Sequence, residues 1–207
     1  MKLISRFAPA LLMLIAFGCA NSTSAQFVRI EADAIDNGGA VPGTTYRVYA
    51  LMENEGDLID AVFGDGKDVL IVESTKPFYQ SDLGGDLAKD TQRSLAESND
   101  ELKYDSWVTI GFADNYMNAL TGFMIDFSEF ATGGRIFSDN GAWFVTPDML
   151  QARAGKDGRI LLMQLTTEGV VSGVLNIHGR TRSTGKPGEE VFDLIEERQV
   201  AFSFGGE

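Results

Sequence analysis

In the stretch TTYRVYALME, residues 44–53, side chains alternate: Tyr46, Val48, Ala50 and Met52 on one side, Arg47, Tyr49, Leu51 and Glu53 on the other. Successive side chains of a strand point to opposite faces, so a segment of this kind is held by pressing one face onto a core. The rhythm returns in FVRIEAD, DLIDAVF, KDVLIVE, YDSWVTIGF, GFMIDFSEF, RIFSD and AWFV. GRILLMQLTTEGVVSGVLNIHGR reads as two strands about Glu168-Gly169, and EVFDLIEERQVAFSF as a final long strand. In the second of that pair, Val171, Gly173, Leu175 and Ile177 form an apolar face, with Ser172, Asn176 and His178 opposite, alongside Val174. Many short strands, glycine at the turns and no strand–helix–strand alternation predict an all-β antiparallel sandwich, jelly-roll-like.

The interruptions carry further expectations. AIDNGGAVPG is a turn-rich link, and GDGK, with Gly64 and Gly66 free to take positive φ, predicts a hairpin between DLIDAVF and KDVLIVE. Residues 77–103 are polar, with weak helical spacing at Leu87, Thr91 and Leu95, and read as a long loop holding a helical turn or two. TPDMLQARAG predicts one short helix near 147–154: Thr146 as N-cap, Pro147 in the first turn, Asp148 near the positive dipole end and Gly155 as terminator.

At the start, Lys2 and Arg6 precede an apolar stretch from about Ala8 to Phe17, followed by small residues, the plan of a bacterial secretory signal over residues 1–25. Thr23-Ser24-Ala25 would release a chain beginning at Gln26, secreted to the periplasm or outside the cell. The competing reading cuts at AFGC and acylates Cys19, making an outer-membrane lipoprotein. Removing residues 1–25 of 207 leaves 182, expected to form a single β-sandwich domain over 26–207 with no cysteine. Two of the 17 basic residues and none of the 30 acidic ones leave with the signal, so 15 basic against 30 acidic residues give a net charge of −15. That field repels phosphate backbones, which argues against nucleic-acid partners, and it favours solubility or calcium.

The blocks PGTTYRVYALME, DAVFGDGKDVLIVES, FYQ, LKYDSWVTIGF and GRILLMQLTTEGVVSGVLN together resemble uncharacterised exported proteins of aquatic bacteria. Similar blocks also look like modules within large surface polypeptides. The resemblance covers mainly residues 42–112 and 158–175. It implies an exported β module and brings no activity and no site residue.

Trp107 leads the candidate ligand residues. With strand alternation through YDSWVTIGF, Tyr104, Val108 and Ile110 share the core face, and Trp107 shares a polar outer face with Asp105 and Thr109. An outward indole there would stack on a sugar ring; the plainer reading puts it beneath the 77–103 loop with its N–H on a backbone carbonyl. Trp143 reads as core. Acidic turns offer Asp65, Asp68, Asp139 and Asn140 as oxygen ligands for structural calcium, although no run matches a calcium-loop motif and such residues beside glycine are ordinary turn chemistry. His178, the single histidine, rules out histidine-cluster metal sites and reads as a solvated strand residue near a turn. Asp126 and Glu129 would need a bulge to act as a glycosidase pair. The expectation is therefore a non-catalytic structural or adhesive surface module. Contacts would run through loops or a strand edge, with FVRIEADAI able to complete a neighbour's sheet; the rival is a carbohydrate-binding module using Trp107, with calcium as an accessory.

Overall fold

The computed structural model describes residues 27–184 and 190–206. The signal segment, Cys19 and both cleavage readings lie outside the described residues. The chain runs through β1 (Phe27–Ile35), β2 (Thr44–Met52), β3 (Leu58–Gly64) and β4 (Leu70–Ser74). It continues through α1 (Arg93–Ala96), α2 (Asp100–Lys103), β5 (Trp107–Val108), β6 (Thr121–Phe123), β7 (Ile136–Ser138) and β8 (Gly141–Phe144). The last strands are β9 (Arg159–Thr167), β10 (Val171–Thr184) and β11 (Glu190–Phe204). Two antiparallel sheets form a sandwich: a small sheet in the order β1-β2-β9-β5, and a large one of seven strands built on β10. No helix among the described residues is long and apolar enough to cross a membrane.

Alternation in the sequence becomes the two-layer core. Val48, Ala50 and Met52 of β2 meet Leu162, Met163 and Leu165 of β9, and Val171, Leu175 and Ile177 of β10, in one apolar cluster. Each Val, Leu, Ile or Met side chain so removed from water contributes about 1.5–3 kcal/mol. Trp143 is fully buried there, and its indole N–H donates to Thr109 O at 3.1 Å.

The expected hairpin at GDGK is corrected. Strands β3 and β4 do not pair with each other; both run antiparallel to β10, β3 along Asn176–Arg180 and β4 along Val171–Val174. They form one interrupted lane, and residues 65–69 are an excursion from it. Neither Gly64 nor Gly66 takes positive φ. Gly64 instead serves close approach, since a Cβ would stand 2.0 Å from Ser138 O. Asp65 closes the excursion by accepting the N–H groups of Lys67 and Asp68, each at 2.9 Å. From β10, buried Asn176 donates to Phe63 O (3.0 Å) and Asp68 O (2.8 Å), and accepts the Gln199 N–H at 2.9 Å.

Two helix and strand expectations also change. TPDMLQARAG holds only a 3₁₀ turn at Leu150–Ala152, entered from extended Met149. Its Gln151 side chain is spent on Ile110 O and Ala119 N–H, and one turn is too short to propagate as α-helix. YDSWVTIGF is a strand only at Trp107–Val108, because α2 ends at Lys103 and Tyr104 is its C-cap. Tyr104 is half-buried beneath the Lys103 ammonium and is not a core residue.

Strand β1 sits in its own sheet, paired with β2, while Arg159 ties Glu31 and Asp33 to the outer face.

Candidate functional site

Three residues lie directly opposite one another across β2, β9 and β5 on the outer face of the small sheet: Arg47, Gln164 and Trp107. Gln164 is buried and fully used. Its amide donates to Lys103 O (3.0 Å) and Asp105 O (2.8 Å), and its oxygen accepts from Arg47 Nε at 3.3 Å. One glutamine thus aims a guanidinium and pins the α2–β5 segment to the sheet.

The segment between β4 and β6 folds back over this face. Tyr79 N–H donates to Thr166 O (2.7 Å), Val108 N–H to Asp86 O (2.9 Å), and Leu87 bridges Val108, covering the β5 edge. Asn99 caps α2 by accepting the Leu102 N–H. Between the sheet and this cover lies a pocket of about 360 Å³, with Trp107, Gln164 and Thr91 in its walls. That volume is in the range of small-ligand sites.

The charge of the pocket is opposite to that of the molecule. Arg47, Arg93 and Lys103 line it against Glu97 and Asp114, in a chain of formal net charge −13. Arg93 is held by Asp114 at 2.7 Å and lies over the Tyr116 ring. Arg47 forms no ion pair within 4.0 Å among the described residues. Thr91 is 3 % exposed, and its hydroxyl has no hydrogen-bond partner. Leaving a buried hydroxyl unpaired costs about 1–3 kcal/mol, so such a group points to a partner that is not part of the chain.

The sequence-predicted ligand trio is not displayed on one surface. Trp107 is 2 % exposed and packed with Ala88 and Leu161, beneath the 77–103 segment as the plainer reading has it and not an outward stacking platform; the indole is wall and floor. Asp105 is fully buried; its Oδ1 accepts the N–H groups of Ser81 (2.7 Å) and Ser106 (2.9 Å). Its Oδ2 faces Gly84–Gly85, where a Cβ on Gly84 would stand 1.8 Å away, and the Gly85 N–H acts on it without hydrogen-bond geometry. Burial pushes this carboxyl up to about 7, against the pull of those N–H groups and helped by the Asp86 charge. Thr109 is buried, its hydroxyl donating to Phe112 O. Alternation fails through 105–110 because the cover buries both faces of the segment. The exposed aromatic near the pocket is instead Tyr116, 59 % exposed, its ring against the lining Arg93 and next to Met117 at a positive φ of 55°. A strained non-glycine backbone of this kind clusters at ligand sites.

The calcium candidates are also redistributed. Asp65 and Asp68 converge on Arg198 Nη1, at 2.8 and 2.9 Å, so a guanidinium stands where a cation was expected. The two N–H bonds and Arg198 hold the Asp65 carboxyl at about 2. Asp139 and Asn140 are exposed in the turn between β7 and β8. No group of three or more His, Cys, Asp or Glu that could hold a metal ion occurs among the described residues. Asp126 accepts the Ser128 N–H while Glu129 pairs with Arg135, so those two carboxylates are engaged separately.

His178 is not simply solvated. Its Nδ1 stands 2.5 Å from Asp60 Oδ1, with the imidazole one-third exposed on the outer face of the large sheet. Asp60 reaches it from a bulge in β3, where register slips between His178 and Gly179.

The residues that sequence reasoning missed are Arg47, Thr91, Lys103 and Gln164. Polar positions on the wet face of β2 and a threonine in the long loop were visible, but nothing local marks their meeting. Comparison with known proteins found no matching family model, no matching curated protein and no matching solved structure.

Proposed function

We propose that this protein is an exported, non-catalytic surface module that holds a ligand in the covered pocket on its small sheet. One observation carries the reading: the segment between β4 and β6 is anchored over the sheet yet leaves a pocket of about 360 Å³ in which the buried Thr91 hydroxyl has no hydrogen-bond partner and Arg47 no ion pair within 4.0 Å among the described residues. The signal-like residues 1–25 support export. The non-catalytic part rests on where the chemistry-bearing groups lie. The His178–Asp60 pair sits on the other sheet, Asp126 and Glu129 are separately engaged, and none of the four lines the pocket.

The test is to fill the pocket. Ala96 stands in its wall at the end of α1. In the Ala96→Trp variant, binding to surface polysaccharides or cells is expected to disappear while the unfolding transition stays in place. Binding that survives the plug contradicts the reading.

A second reading rests on the open side of the sandwich. The edge strands β1 and β11 face each other across a groove of about 470 Å³, lined by residues 27–32 and 200–204, without pairing. An unpaired edge invites another strand, and a second copy would supply one. Charged Arg29 and Glu31 on β1, and the bulge in β11 opposite Asn176, work against such pairing. A protein that stays monomeric at high concentration, and is merely destabilised by deleting Gln26–Ile35, contradicts this second reading.

A further inference from the structure

We propose that the pocket takes an acidic sugar unit, a hydroxyl-rich ring carrying one carboxylate; this rests on the pocket being the binding site. Burial of Trp107 removes the stacking face that would make a neutral sugar the natural occupant, and charge decides instead. Three cations against two carboxylates leave the lining one positive charge in excess, within a strongly acidic molecule. Asp114 is already matched to Arg93 at 2.7 Å, whereas Arg47 is aimed by Gln164 and forms no ion pair within 4.0 Å among the described residues, since Asp33, opposite it across β1 and β2, is held by Arg159. Lys103 has one long ion pair, to Asp100 at 3.8 Å, besides its contact with the Tyr104 ring, and stands on the same glutamine's other arm. A single carboxylate fits the two cations flanking Gln164, and a planar guanidinium suits it through paired N–H donors.

The remaining groups exclude simpler anions. Glu97 lines the same pocket and repels a polyanion such as phosphate, but accepts from a hydroxyl. The unpaired Thr91 hydroxyl both donates and accepts, which a ring hydroxyl completes. Against the lining Arg93 lies the exposed Tyr116 ring, whose outer face can meet the C–H side of a second ring in a chain. One negative charge, several hydroxyls and ring-sized bulk satisfy every one of these groups together.

The experiment is calorimetric titration of the full purified protein with a short oligogalacturonate, the matching neutral galacto-oligosaccharide, and a peptide of similar length with a free C-terminal carboxylate. The acidic sugar is expected to bind saturably and to weaken as salt is raised. Arg47→Gln and Lys103→Gln should each weaken it by about tenfold, the scale of one charge-assisted contact. Lys103 is exposed, so the second variant keeps the comparison sound if the first fails to fold. Equal affinity for the neutral sugar, or for the peptide, overturns the acidic-sugar assignment. If either binds and Ala96→Trp abolishes it, the pocket reading survives that loss. No binding by any of the three, with other anionic saccharides equally silent, overturns the assignment; binding untouched by Ala96→Trp overturns the pocket as well.

Discussion

The excursion between β3 and β4 and the cover of the small sheet treat buried polar groups in opposite ways. On the large sheet, Asn176 makes bonds to Phe63 O, Asp68 O and Gln199 N–H, and Arg198 gathers Asp65, Asp68 and Glu196. Each of these groups answers another within the chain, and the result is a stitched excursion; farther along the same sheet Asp60 Oδ2, Arg180 Nε and Thr181 Oγ1 are buried without a hydrogen bond. On the small sheet, the cover brings Thr91 and Asp105 into burial with one oxygen each left without a hydrogen bond. It also leaves Arg47 without an ion pair among the described residues. Satisfied networks hold a backbone in one conformation, whereas unsatisfied ones are retained against their cost. The contrast separates architecture from site more cleanly than residue type does, since both regions use Asp and Arg.

The largest test of this contrast is the pH dependence contributed by Asp105. Its folded value near 7 lies above the ordinary carboxyl value, so protonation favours the fold. The stabilising contribution is complete below about pH 4 and is lost as pH rises to about 7, a fall of up to about 4 kcal/mol at 1.36 kcal/mol per unit. Asp105→Asn keeps the two bonds to Ser81 and Ser106 and should flatten that limb in denaturant titrations between pH 4 and 8. An unchanged slope means that the carboxyl is compensated within the fold. Next in size is Asn176→Ala, which strands buried carbonyls of the excursion and should cost about 3 kcal/mol in urea unfolding. A loss under 1 kcal/mol, on the scale of an ordinary surface change, contradicts the stitching role. Smaller still, Arg198→Ala should leave global stability close to wild type while speeding amide exchange in residues 65–69, increasingly like wild type as salt rises. Exchange rates indifferent to the substitution would remove Arg198 from the network.

Strand identity was legible wherever one face stays wet. In β2 the alternation of Val48, Ala50 and Met52 against Arg47 and Tyr49 is the alternation of buried and half-buried residues in the fold. The same holds along Val171–Leu175 of β10. Pairing was not legible, because β3 and β4 take their partner from β10, more than a hundred residues away, while GDGK signals only a local turn. The place of Trp107 was left between two readings for a related reason. Alternation assigns two faces, but only tertiary structure decides whether both are covered, and here residues 77–118 cover the second. The site itself was the least visible part. Arg47 and Gln164 are 117 positions apart and meet only through strand register, and Thr91 became informative only once its hydroxyl proved to be buried without a partner.

The central claim is that the polar groups left unpaired in the pocket serve a ligand and not the fold, and Thr91→Val tests it most directly. The valine keeps the shape and removes only the hydroxyl. Urea unfolding of the ligand-free protein should then show stability equal to wild type or higher by up to about 1 kcal/mol, because an unpaired buried oxygen has been deleted. A loss of about 2 kcal/mol would mean that the hydroxyl is bonded within the protein, and the pocket would be one more piece of architecture.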